Sequence, residues 1–240
     1  MRPVIIAAML LGLSALPVRA GSPMTIEVVC PIDGEKFNFV TSAMYSTFGL
    51  YADGMPVGTW TFPPPLPQCP KSRLPILEEP YSDEEIVRLR AMVETPEYKA
   101  VQNESSYYLM NFVLGYLRKH GPESQVPYLL QATWQVYDQP VTYARYADEL
   151  TAAFDAAAEG LRAEDDGYRF FCEMSLINVL RQAGRFDEAT RRLETLVPYE
   201  GENSLPEWTT LTRDLIAAKD RSRVAIRRLR DDARAKGTSH

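Results

Sequence analysis

The rhythm of apolar and polar residues changes once along this chain, near Pro80. Before that point the period is two. Thr25, Ile26, Val28 and Val29 give residues 24–29 a β-branched character that predicts a strand, and Phe37-Asn38-Phe39-Val40 alternates as the returning strand. Pro31 and Gly34 supply the tight turn between them. Residues 44–51 predict a third extended piece, Asp53-Gly54 a turn, and residues 58–62 another strand. The run Phe62-Pro63-Pro64-Pro65-Leu66-Pro67 predicts polyproline II, because proline fixes φ and donates no hydrogen bond. It is read as a stiff connector.

After Pro80 the period becomes that of a helix. Ser82-Asp83-Glu84-Glu85 is a capping box, with serine at the N-cap and glutamate three residues on. The acids of residues 78–85 complement the dipole of the helix that follows. Thr95-Pro96 opens a short helix. Tyr108, Leu109, Phe112, Val113, Tyr116 and Leu117 recur at three and four, and Gly121-Pro122 interrupts them. Further helices are predicted over 128–137, from Pro140 to a fraying end at Gly160, over 168–183 with a stop at Gly184, and over 187–197. Ser204-Leu205-Pro206-Glu207 is a second capping box, and the last helix is expected to run from Pro206 toward Arg230. Turns this short make neighbouring helices antiparallel.

The stretch from Leu176 to Ala189, with Gly184-Arg185-Phe186-Asp187-Glu188-Ala189 at its turn and Leu193, Leu196 and Pro198 beyond, resembles a tetratricopeptide repeat. Leu117-Arg118-Lys119-His120-Gly121 is a fainter echo of Leu180-Arg181-Gln182-Ala183-Gly184. The expected fold is mainly α: a tetratricopeptide-like antiparallel helical bundle over residues 81–236. A small β-rich annex precedes it over 21–80, and a disordered tail follows over 237–240.

Residues 1–20 have the order of a secretory signal peptide: a basic start, an uncharged apolar run from Val4 to Leu16, and Val18-Arg19-Ala20 before a cut. The apolar run is too short to span a bilayer. The expected product is periplasmic or secreted. Removing residues 1–20 takes away Arg2 and Arg19 and no acid, so the formal charge falls from −6 to −8. That balance argues against a nucleic-acid partner. Residues 219–236 carry Arg221, Arg223, Arg227, Arg228, Arg230 and Arg234 against three aspartates, and are expected to form the basic end of the last helix. Arginine stems lying over apolar surface are the favoured reading of that end, ahead of contact with a membrane surface.

Chemistry is sparse. His120 and His240 are the two histidines, so serine-triad or cysteine–histidine catalysis would rest on His120, with no nucleophile placed beside it by the sequence. The chain has no phosphate loop, dinucleotide fingerprint or His-Glu-x-x-His motif. The three cysteines are Cys30, Cys69 and Cys172, the last in a helical, apolar setting that suits a buried small hydrophobe. Cys30-Pro31-Ile32-Asp33-Gly34 and Cys69-Pro70-Lys71-Ser72 each read as half of a zinc ribbon whose second cysteine is replaced, by Asp33 in one and Ser72 in the other. In an oxidising compartment Cys30 and Cys69 are expected to form a disulfide and to need no cofactor. The alternative is a zinc ion held by Cys30, Asp33 and Cys69.

Together these segments resemble a bacterial family of uncharacterised proteins that joins an N-terminal Cys-Pro-x-Cys-Gly ribbon to a tetratricopeptide-like helical region. The resemblance rests on Cys30-Pro31-Ile32-Asp33-Gly34-Glu35-Lys36-Phe37, on Cys69-Pro70-Lys71-Ser72, and on the helices beyond them. It brings no established activity with it. Two function classes follow. One is a non-enzymatic binding or adaptor protein holding a peptide or partner protein in a helical groove. Tyr108, Tyr116, Tyr137, Tyr143 and Tyr146, together with Tyr107, are candidates to line that groove. The other is a metal-binding protein or enzyme acting at the ribbon.

Overall fold

The computed structural model describes residues 22–77, 79–117, 121–199 and 206–226. The signal-peptide segment, His120, the Ser204-Leu205 half of the second capping box and the tail beyond Ile226 lie outside these residues. The described residues are mainly helical, with two small antiparallel sheets.

The period-two segments pair as expected. β1 (Pro23–Val29) runs antiparallel to β2 (Lys36–Ser42), with Ile26 opposite Phe39 and Val28 opposite Phe37. β3 (Thr47–Tyr51) is the central strand of a second sheet. One neighbour is β4 (Pro56–Gly58), which lies earlier than the predicted 58–62 strand because the chain bends away after Gly58. The Phe62–Pro63 peptide is cis. The other neighbour is β5 (Ala225–Ile226), from the far end of the chain.

α1 (Asp83–Met92) starts with the predicted capping box: Glu85 N–H donates to Ser82 Oγ at 3.3 Å and Ser82 N–H to Glu85 Oε2 at 2.9 Å. α2 (Pro96–Val101) is capped by Thr95. α3 (Ser106–Leu117) and α4 (Pro122–Gln135) follow, with Gly121 as the N-cap of α4. α5 (Pro140–Glu164) passes through Gly160 instead of fraying there, because Leu161 is fully buried one residue later. α6 (Asp166–Gln182) and α7 (Phe186–Thr195) turn back on one another at Gly184, where φ is +86°. Arg185 N–H bonds the Leu180 carbonyl and Gly184 N–H the Arg181 carbonyl, the pair of bonds that ends a helix on a left-handed residue. Gly184→Ala is expected to cost about 1–2 kcal/mol, the left-handed penalty of a Cβ, measurable by urea denaturation.

α8 (Pro206–Ala217) corrects the expectation of a helix reaching Arg230. It ends with the same two bonds, Asp220 N–H to Leu215 and Lys219 N–H to Ile216, with Lys219 rather than glycine at positive φ. Residues 219–226 therefore do not extend a basic helix. They cross back over the bundle to pair with β3.

Two apolar cores result. One gathers Leu89, Met92, Tyr98, Leu109 and Val113 of α1–α3 around Cys30, Ile32, Cys69 and Leu74. The other gathers α4, α5 and α6 with Trp208 and Ile216 of α8, and takes in Ala52 and Ile226. Cys30, Ile32, Ala52, Cys69 and Leu74 of the N-terminal segment are thus built into the helical cores.

Candidate functional site

The two cysteine turns are copies of one another. In the first, Cys30 N–H donates to Glu35 O and Gly34 N–H to Cys30 O; in the second, Cys69 N–H donates to Leu74 O and Arg73 N–H to Cys69 O, all at 2.8–2.9 Å. Gly34 and Arg73 hold the same place, at φ +74° and +62°. Asp33 Oδ1 accepts from Glu35 N–H at 3.0 Å, and Ser72 Oγ accepts from Leu74 N–H at 3.3 Å. The two replacement residues therefore do one job: each closes its turn by accepting the N–H two residues on. That leaves Asp33 bonded to its own turn. Cys30 and Cys69 face each other across the turns as a disulfide, with Cα atoms 5.2 Å apart and both residues fully buried. A disulfide fits an oxidising environment. Among the described residues no group of three or more His, Cys, Asp or Glu side chains is arranged to hold a metal. Arg90 Nε donates to Ile32 O at 2.7 Å and Tyr98 Oη to Ser72 O at 3.1 Å, so α1 and α2 grip one turn each.

Among the candidate tyrosines, Tyr108 pairs with Tyr146 and Tyr137 with Tyr143, while Tyr116 stands apart from both pairs. Tyr108 and Tyr146 stack at 4.5 Å with planes 10° apart, and the Arg145 guanidinium lies about 5 Å from both rings, at 5.2 and 4.9 Å. Tyr108 Oη donates to Glu149 at 3.0 Å, Tyr146 Oη to Glu104 at 2.7 Å, and Arg145 bridges both carboxylates. Burial first, and then the bond to Glu149, push the Tyr108 phenol up to about 12. Burial lowers the Arg145 guanidinium, but its bond and attraction to Glu104, with the Tyr108 and Tyr146 hydroxyls, together outweigh this and the net shift is upward. Tyr146 is raised for the same reasons as Tyr108. Tyr107 is pushed up to about 12 by burial, and its hydroxyl donates to the Pro64 carbonyl at 3.0 Å, tying the proline connector to α3. Tyr116 is the exposed member, under the Arg88 guanidinium at 5.7 Å.

Tyr137 and Tyr143, the second pair, meet edge to face at 5.9 Å. The turn Ala52-Asp53-Gly54, between β3 and β4, enters the bundle here. Trp208 Nε1 donates to Ala52 O at 2.9 Å and Trp134 Nε1 to Asp53 O at 3.1 Å. Ala52 N–H donates to Val224 O at 2.8 Å, and Arg223 Nε pairs with Asp53 Oδ2 at 2.8 Å while its guanidinium sits 3.9 Å from the Tyr137 ring centroid. Gly54, at φ +80°, abuts Ser175 and Phe171 so closely that a Cβ would collide with them. Through Arg223 the chain's own turn thus lies against Tyr137. Sequence reasoning marked Asp53-Gly54 as a turn but had no signal for its burial.

A half-buried apolar face outside both cores lies elsewhere, on the β1–β2 hairpin. Met24, Ile26, Val28, Phe37 and Phe39 share one face of it by register, and none is among the side chains packed against the two cores. Met44 at 73% and Phe48 at 66% exposure continue this apolar run along the chain at its base. Among the described residues no helix is long and apolar enough to cross a membrane. Compared with known proteins, the chain matches no family model, no curated protein and no solved structure.

Proposed function

We propose that this chain is an exported, non-enzymatic binding or adaptor protein: a tetratricopeptide-like helical stack, fronted by a degenerate ribbon, that holds a protein or extended peptide without a cofactor. The helical hairpin at Gly184 and the paired cysteine turns support the architectural half of this reading. The observation that carries the binding half is the half-buried apolar face of Ile26, Val28, Phe37 and Phe39, which joins neither core, on a sheet of two strands. Such a hairpin is marginal alone and gains by acquiring a third strand or a cover. Its outer edges offer main-chain donors and acceptors, and its face offers pockets for alternate side chains, the mode in which an extended segment adds to a sheet. The partner therefore docks on the hairpin, not in the tyrosine groove that the sequence suggested.

The test is site-specific photocrosslinking from position 41, opposite Met24 on the same face, with recovery from the native envelope. Phe39→Glu and Phe37→Glu should each reduce recovery of the crosslinked partner at least tenfold, with melting temperatures close to that of the parent. Equal recovery from parent and variants would remove the hairpin as the docking site.

A further inference from the structure

Arg181 is fully buried in α6, and among the described residues no carboxylate lies within salt-bridge distance of it. Its Nη1 donates to the carbonyls of Asp220 and Ser222, and its Nε to Asn178 Oδ1 at 3.1 Å. Its Nη2 is buried without a partner. Two further buried donors in the same cluster are also unpartnered: Gln182 Nε2 and Arg223 Nη2. Gln182 accepts the Tyr143 hydroxyl, and Arg223 pairs with Asp53. Arg181 bonds the Ser222 carbonyl, Arg221 Nε bonds the Gln182 carbonyl at 2.9 Å, and Arg223 lies over Tyr137, which meets Tyr143, so the three residues gather where residues 220–223 cross the end of α6. The cluster thus buries two guanidinium groups against one carboxylate. The Asp220 carboxylate faces solvent, accepts from Ser222 N–H at 2.7 Å and acts on Arg181 only through space, so it meets none of the unpartnered donors. Buried charges are normally paired, and every unmet atom named here is a donor.

We propose that this cluster is a binding site for one small inorganic anion of the chloride class, held by Arg181 Nη2, Gln182 Nε2 and Arg223 Nη2. The anion supplies the missing counter-charge and locks residues 220–223 onto the end of α6. Burial also lowers the Arg181 guanidinium below its ordinary value, the direction that a bound anion would reverse.

Bromide soaked into crystals of the protein is the direct probe. An anomalous peak within hydrogen-bonding distance of Arg181 Nη2 is expected. In solution, replacing gluconate by chloride at constant ionic strength should raise the melting temperature by roughly 3–5 °C per tenfold chloride once the site begins to fill. Gln182→Glu keeps the side-chain shape and builds in a carboxylate, so it should abolish both the bromide peak and the chloride dependence. If that variant does not fold, the parent's bromide and chloride responses decide alone. A water with no anomalous signal, and a melting temperature indifferent to chloride, would overturn the site.

Discussion

Cys30→Ser should lower the stability of the protein by about 4 kcal/mol, the chain-entropy value for releasing a loop closed between residues 39 apart. For a chain of this size that is roughly 10 °C in melting temperature. The loss will not stay in the N-terminal strands. Cys30 and Cys69 share a core with Leu89, Met92, Tyr98, Leu109 and Val113, so α1–α3 should lose protection with them. Hydrogen exchange on the variant, or on reduced parent protein, should show α1–α3 opening well before α4–α6. Non-reduced mass spectrometry of the parent should find one disulfide and one thiol, that of buried Cys172. A melting shift of only a degree or two, or exchange that accelerates in β1 and β2 alone, would contradict this account of the disulfide as part of the helical core.

Asp53→Ala should cost about 3–5 kcal/mol, the usual result of removing one partner of a buried ion pair. Asp53 is fully buried and Arg223 nearly so. The variant leaves the Arg223 and Arg181 charges together with no carboxylate between them, and it frees the Met55 N–H that Asp53 Oδ1 accepts. The double variant Asp53→Ala with Arg223→Met should recover a large part of the loss, because it removes the stranded charge along with its partner. Denaturant unfolding of both single variants and the double variant completes the cycle. Strict additivity would show that the two side chains do not depend on each other.

Much of the local structure was legible without coordinates. The period-two stretches became β1 and β2, and the serine–glutamate box at Ser82 became the start of α1. Gly184 ended α6 as its position between two apolar periods implied. In each case the deciding interactions span a few residues: alternation across a pleat, a side chain reaching a nearby N–H, a backbone angle that glycine adopts freely. The pairing of Cys30 with Cys69 was also readable, because the two Cys-Pro turns declare themselves as equivalents.

What the tertiary structure alone decided are the interactions between distant segments. The end of α8 has no glycine to announce it; Lys219 takes the left-handed angle because Ile226 has a strand partner in Leu50. The tyrosines read equally as groove or packing, and for Tyr108, Tyr143 and Tyr146 the hydroxyls are held by Glu149, Gln182 and Glu104 from other segments. Asp53 is one of many acids in the sequence. It became the buried centre of the bundle because two tryptophans and Arg223, separated from it by 81 to 170 residues, converge on its turn. Sequence patterning sets which face of an element is apolar. Which faces meet, and which one is left open, depends on contacts that no local pattern encodes.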